Sequence, residues 1–181
     1  MPPDVSLPPS ADAAIYQPAL AWWLETVARL GRLPARSDLD PTDLGVKALP
    51  HALIVEIVGA GEDFRFRLIG TNHSEFNRRD LTGLLFSQVY PIDSPVLAYL
   101  KGLYAELMTS RRPLWSLNEF LPPTRNQPIR MGRLMLPMSS NGDLVDFCVA
   151  VQKIDAPKSA TIIRHPWQEA EYTGEIERQS L

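Results

Sequence analysis

From Phe64 to Ile69 apolar and charged side chains alternate, with Phe64, Phe66 and Leu68 on one side and Arg65 and Arg67 on the other. Period-two alternation predicts a half-buried strand, because successive side chains of a strand point to opposite faces of the sheet. Gly70 ends that strand. The next dozen residues are too short and too polar for one long helix, so they are expected to form short helical turns closed by Gly83 and to wall a pocket. Upstream, His51 to Val58 is rich in β-branched residues and predicts a second strand. Gly59-Ala-Gly-Glu-Asp63 between the two has the turn chemistry of an antiparallel hairpin. Three further strands are predicted at about Leu114 to Leu121, Ile129 to Pro137 and Leu144 to Ile154. Pro122-Pro-Thr-Arg-Asn126 and the hairpin signal Ser139-Ser-Asn-Gly-Asp143 join them.

Helical periodicity marks two other stretches. Over about Ala14 to Leu30, the residues Leu20, Trp23, Leu24, Val27 and Leu30 form one stripe, widened by Ile15, Ala19 and Trp22, with Gly31 as C-cap. Two adjacent tryptophans need a large cover, either the domain's own sheet or another subunit. Leu33 to Pro50 contains Pro34, Pro41 and Pro50, and Asp40-Pro41 is placed to start a short helical turn. A further helix spans Ser94 to Thr109, with Asp93 or Ser94 as cap and Pro95 at its first position. Val96, Leu100, Leu103, Tyr104 and Leu107 give its buried face, and Pro113 ends any continuation. The resulting order predicts an α+β fold: a five-stranded antiparallel sheet with helices on one face and an N-terminal flanking helix. Residues 1–12, with four prolines, are expected to be a disordered tail. The flanking helix occupies 13–31 and the main domain 32–155. Residues 156–181 read as a polar tail with one short element around Ile162 to Trp167.

Composition narrows the function classes. The 181 residues are 45% hydrophobic and 22% charged, ordinary for one globular domain with extensions. A net charge of −3 argues against a nucleic-acid surface, and the pairs Arg78-Arg79 and Arg111-Arg112 read as solvated faces. One cysteine, Cys148, rules out an internal disulfide and fits a reducing compartment. Met1 to Ser10 has neither a basic n-region nor an apolar core. No apolar run approaches the roughly 18 residues of a membrane span; the best, Ala48 to Ala60, is broken by Pro50, His51 and Glu56. A cytoplasmic protein with no nucleic-acid or membrane partner is expected.

Several motifs in fixed order carry a resemblance. Trp22-Trp23, Arg32-Leu-Pro-Ala-Arg-Ser-Asp-Leu-Asp-Pro41, Leu49-Pro-His51, Phe64-Arg-Phe-Arg-Leu-Ile-Gly-Thr71, Arg79-Asp-Leu-Thr-Gly83 and Leu136-Pro-Met138 are the matching residues. Over about Leu20 to Ile154 the chain resembles a bacterial family of small PAS-like proteins first catalogued as a domain of unknown function. Met138 stands where that family usually has an aliphatic residue, and Arg78 where it often has glycine. The resemblance implies a sensory or regulatory module of the lone-PAS type. With no stretch that reads as a kinase, cyclase or helix-turn-helix, its signal would leave through a surface, by dimerisation or by a signalling protein partner.

Candidate chemistry is sparse. His51, His73 and His165 are isolated, and no Cys or carboxylate sits at metal-ligand spacing from another. His73 lies on the helical excursion where PAS proteins place pocket walls and is the one candidate haem ligand, but an isolated histidine is by default a structural or surface residue. Flavin photochemistry uses a cysteine in an Asn-Cys-Arg-Phe type helix, whereas Cys148 lies in a strand, as a small buried hydrophobe would. No cofactor is therefore assigned. No nucleophile elbow or Gly-rich phosphate loop appears. Asp80 is either a base beside His73 or, the better reading, the cap of a turn.

What remains is a pocket. Phe66, Leu68, Phe76, Phe86, Tyr104, Met131, Met135 and Phe147 are its candidate walls, with Asn72, His73 and Arg133 as polar anchors. The same residues describe a filled core equally well. Arg133 is in phase with Ile129, Met131 and Met135, and is either an anion-binding group inside or a salt-bridged residue at the rim. The expected protein is a sensor or regulatory adaptor that binds a small molecule or a partner protein. It is expected to be homodimeric through Leu20, Trp22, Trp23 and Val27. The alternatives are a ligand-free interaction module, or an enzyme with an apolar-substrate pocket and an acid/base pair in it.

Overall fold

The computed structural model describes residues 5–121, 128–155 and 171–181. Helix α1 (Ala13–Leu30) starts where the Asp12 carboxylate accepts the Ala14 N–H and stops at Gly31, whose φ of 65° is the left-handed turn expected of a C-cap. Three short 3-10 turns follow, one of them Pro41–Leu44 behind the Asp40 cap. Strands β1 (Ala52–Val58) and β2 (Asp63–Ile69) form the anticipated hairpin. The excursion is two short helices, α2 (Thr71–Asn77) and α3 (Phe86–Val89), and then α4 (Pro95–Ser110), with Ser94 Oγ accepting the Leu97 N–H at 3.1 Å. Strands β3 (Leu114–Leu121), β4 (Ile129–Met138) and β5 (Phe147–Asp155) lie within three residues of the predicted bounds.

The sheet has six strands rather than five, in the order β2-β1-β5-β4-β3-β6, every pair antiparallel. The extra strand, β6 (Glu171–Ser180), comes from the stretch read as a polar tail and pairs along β3. Charged residues line it, as suits an edge that must not recruit further strands. Arg178 ties it to α4 and to itself, reaching Glu106 at 3.0 Å and Glu175 at 2.6 Å. The lead-in is packed as well: Pro8 is buried, Val5 and Leu7 lie against the core, and Ser10 Oγ donates to Glu177. The short element around Ile162 to Trp167, His165 and the Pro122 to Asn126 connection lie outside the described residues.

Both faces of the sheet are covered. On one, Tyr16 and Trp23 of α1 donate to the carbonyls of Gly132 and Pro137 at 3.0 and 2.8 Å, and Tyr16 packs edge-on to Trp115. Because side chains alternate along β4, Arg133 points the other way, into the layer formed by α2, α3 and α4. Leu20 and Trp23 are therefore buried on the chain's own sheet and are not open to a second copy, a correction to the expected interface. Trp22 and Val27 stay only partly covered on the flank of α1. Among the described residues no helix is long and apolar enough to cross a membrane.

Candidate functional site

Three adjacent strands place a polar row under the helical layer. Ser116 of β3, Arg133 of β4 and Gln152 of β5 sit directly across from one another in register. All three are buried, and Arg133 is only 4% exposed. Arg133 Nε donates to Gln152 Oε1 at 2.6 Å and Nη1 to Ser116 Oγ at 3.2 Å, while Nη2 approaches Met131 Sδ at 3.1 Å. Among the described residues no carboxylate lies within ion-pair distance of it. Of the two readings the sequence allowed, Arg133 is the inside group.

Above the row, α2 lowers His73 so that Nε2–H donates to the Gln152 carbonyl at 2.9 Å, which fixes the tautomer because a carbonyl only accepts. Asn77 Nδ2 donates to the His73 carbonyl at 2.8 Å. An aromatic cluster roofs the rest, with ring centroids 4.6 Å apart for Phe66–Phe86, 4.4 Å for Phe64–Tyr104 and 5.4 Å for Phe86–Tyr90. Between the roof and the row lies a chamber of about 20 Å³, lined among others by Leu53, Phe66, His73, Phe86, Tyr104 and Arg133. A second of about 10 Å³ lies toward β3, bounded by Asn118, Phe120 and Met131. Tyr90, Leu100, Arg133 and Gln152 line both. Each void has room for only a water molecule or two.

Among the described residues, the phenols of Tyr90 and Tyr104, the Cys148 thiol and the His73 imidazole around Arg133 are neutral near pH 7. Burial raises the phenols of Tyr90 and Tyr104 well above their usual range, and pushes the Cys148 thiol up to about 12. Burial also lowers His73 from 6.5 to about 4, against the opposing pull of the Gln152 and His51 carbonyls. The guanidinium charge is thus uncompensated by its immediate surroundings.

The His73 shift carries a pH prediction. The ring is held neutral in the fold but protonates in the unfolded chain near its ordinary value, so the unfolded state takes up the proton first as pH falls. Stability should be flat above about pH 6.5 and decline toward pH 4, by about 2 kcal/mol at pH 5. Half-buried His51, also lowered by burial, adds in the same direction. The depressed carboxyls of Asp38, Asp40 and Asp80 act only at more acid pH. Urea unfolding of wild type and His73→Gln at pH 5 and 7.5 isolates the His73 share; an equal loss in both proteins would refute it.

Of the residues the sequence singled out, Phe66, His73, Phe86, Tyr104 and Arg133 line the main chamber and Met131 the smaller one. The other five do not. A bulge between Ile54 and Val55 shifts the β1–β2 register, so Leu68 pairs with Ile54 and turns to the opposite face, and Ile69 takes its place in the chamber. There Leu68 joins Pro41, Leu44 and Ile54 in an apolar groove of about 310 Å³. Asn72 stands against the His51 ring at 3.2 Å, Phe76 packs edge-on to Phe120, Met135 is core, and Phe147 opens β5 opposite Met138. Asn77, Tyr90 and Gln152 were missed. Gln152 had a signal, being the polar residue that ends the apolar run Cys148-Val-Ala-Val, and Arg133 another, as a charge beside the apolar run Leu134-Met-Leu.

The arrangement assembles no acid/base pair from His73 and Asp80. Asp80 is at the surface, its carboxylate accepting from Thr82 N and Oγ1 at 2.9 and 2.6 Å, which is the turn cap. Cys148 is a fully buried thiol in β5. Among the described residues no group of three His, Cys, Asp or Glu is placed to hold a metal ion.

No curated protein matches the chain in sequence. A family model does: residues 14–147, from the start of α1 to the first residue of β5, match that of a PAS domain. With the antiparallel sheet, the helical excursion after β2 and the cavity beneath it, that match over most of the chain settles the family: this is a PAS domain protein.

Proposed function

We propose that the chain is a cytoplasmic regulatory module that senses a small molecule in the chamber beneath α2–α4 and relays its occupancy to a partner protein. The observation that carries this reading is the buried Arg133, held by Gln152 and Ser116 with no carboxylate in reach among the described residues. A packed core has no use for such a charge, since burying one without a counter-ion costs several kcal/mol. A binding site has.

The relay follows from the two-sided sheet. Arg133 faces the chamber while its neighbour Gly132 accepts the Tyr16 hydroxyl of α1 through its carbonyl. A shift of β4 on occupancy would bias how α1 sits on the opposite face, which is all that two packings of one helix require. The partly exposed flank of α1, with Trp22, Leu24 and Val27, is the surface offered to a second copy or a signalling protein.

One observation favours the rival reading, a module that acts through its surfaces with the core shut: the chamber measures only about 20 Å³. Native mass spectrometry of freshly purified protein, with thermal-shift screening of small acids, amides and aromatics, separates the two. The sensor reading expects a bound mass or a saturable rise in melting temperature with at least one compound. Neither, over the whole panel, would leave the interaction module.

A further inference from the structure

The charge balance of the cavity selects a ligand class. A guanidinium presents its N–H groups in a planar fork that matches two carboxylate oxygens, and this pairing strengthens where water is excluded. The nearest groups able to supply a negative charge do not: Tyr90, Tyr104 and Cys148 are kept protonated by burial. Glu175, which reaches Tyr99 at the edge of the smaller void, is spent on Arg178 at 2.6 Å. Asn118, 5% exposed, lines the smaller void beside Arg133 with its Oδ1 unpartnered; as an acceptor it suits a water or the donor of a ligand and leaves an anion to the guanidinium.

The rest of the lining sets size and character. Leu53, Phe66, Leu81, Phe86 and Ala150 close the main chamber around the polar floor. A ligand that satisfies both halves has one anionic head and a short apolar tail. As it stands the chamber admits only a water molecule or two, so even a ligand of a few heavy atoms requires Tyr90 or Leu100, the walls shared with the second void, to swing aside and join the two.

We propose that the chamber is a site for short-chain monocarboxylates, the carboxylate seated on Arg133 and Gln152 and the alkyl tail against Phe66 and Phe86. This rests on the small-molecule reading above and names its ligand class. Gln152 serves by rotating its side-chain amide, which now accepts from Arg133, so that its N–H₂ donates to the incoming carboxylate. Substrate-like selectivity follows from the walls: a dicarboxylate would bury a second charge without a partner, and a neutral amide of the same shape would leave the guanidinium unneutralised.

Thermal unfolding of the full chain at constant ionic strength tests this with four probes: sodium acetate, sodium propionate, propionamide and sodium chloride. At millimolar concentration the two carboxylates should raise the melting temperature saturably, by at least about 3 °C, with propionamide and chloride giving less than a third of that. Arg133→Gln should abolish the carboxylate effect. A folded Arg133→Gln that keeps the effect overturns the proposal. Should that variant fail to fold, proton–nitrogen spectra of the wild type decide: propionate must move the Gln152 side-chain amide and the His73 backbone signal, and shifts confined elsewhere overturn the site. Propionamide acting as well as propionate overturns the carboxylate class but leaves small-molecule sensing intact. No response to any probe or to the wider panel removes both.

Discussion

Replacing Trp23 with glutamate is expected to abolish cooperative folding, whereas the same change one residue earlier, Trp22→Glu, leaves a folded chain. The two tryptophans are adjacent in sequence but about 100° apart around α1. Trp23 is buried, and its indole N–H donates to the Pro137 carbonyl at 2.8 Å, at the last turn of β4 before the hairpin. Removing a buried tryptophan costs about 3–5 kcal/mol by itself. The glutamate buries a carboxylate and orphans a buried carbonyl. Against a typical stability of about 5–15 kcal/mol, that sum leaves little or no folded population. Near-UV circular dichroism and urea titration read the result, and Trp23→Phe, which keeps a ring and loses only the hydrogen bond, should fall between. Trp22 is only partly covered, so Trp22→Glu should keep a wild-type near-UV spectrum. If the flank of α1 pairs two copies, light scattering will show this variant as a monomer. A Trp23→Glu chain that stays folded and merely changes oligomeric state would return the interface to that residue and contradict the packing of α1.

That pair of residues shows what the sequence did and did not reveal. The apolar stripe of α1 was visible as a stripe, but what covered it was not, because a helix that flanks a sheet and one that pairs with its twin carry the same periodicity. Strands with one buried face were legible for the opposite reason. Arg65 and Arg67 reach back to Glu56 at 3.7 and 2.8 Å on the side away from Phe64 and Phe66, so burial and charge alternate in the letters themselves. β6 has no such alternation. Glu175, Ile176, Glu177 and Arg178 are polar or exposed on both sides, and the strand is held by its backbone ladder to β3, by Arg178, and by Leu181 N–H donating to the Pro113 carbonyl at 2.8 Å. The lead-in shared that fate, since its anchor Glu177 lies more than a hundred residues away. In the site, Arg133 was legible as a charge inside an apolar strand. Leu68 was misplaced because a bulge changes which face a residue takes without changing the residue, and nothing in Arg-Leu-Ile-Gly announces one.

The change with the next largest effect is one methyl group. Gly70, in the Leu-Ile-Gly-Thr motif, has φ −65° and ψ 154°, a conformation open to any residue, so conformational freedom is not why glycine stands there. Space is. A Cβ at this position would lie 2.7 Å from the carbonyl carbon of Pro50 and 2.8 Å from the Leu49 oxygen, both main-chain atoms that no rotamer change can move. Gly70 also donates its N–H to the Ala52 carbonyl at 2.8 Å, and its own carbonyl accepts from His73 and Ser74 at 3.0 and 3.2 Å. It is the point where β2, the Leu49–His51 turn and the first turn of α2 meet, and α2 carries His73 onto Gln152. Gly70→Ala must therefore pry the turn from the strand or tilt α2, at a cost of about 3 kcal/mol, the upper end for overpacking. Gly102→Ala is the control. Gly102 lies inside α4 with nothing near its would-be Cβ, so alanine should stabilise by up to about 1 kcal/mol through helix propensity. Urea midpoints of the two variants should move in opposite directions. Because the distortion starts at the hinge of α2, Gly70→Ala should also flatten the acid limb of the stability curve that His73 supplies. A Gly70→Ala protein as stable as wild type would mean that the β2–α2 junction is looser than its geometry, and that His73 is not held over the sheet by it.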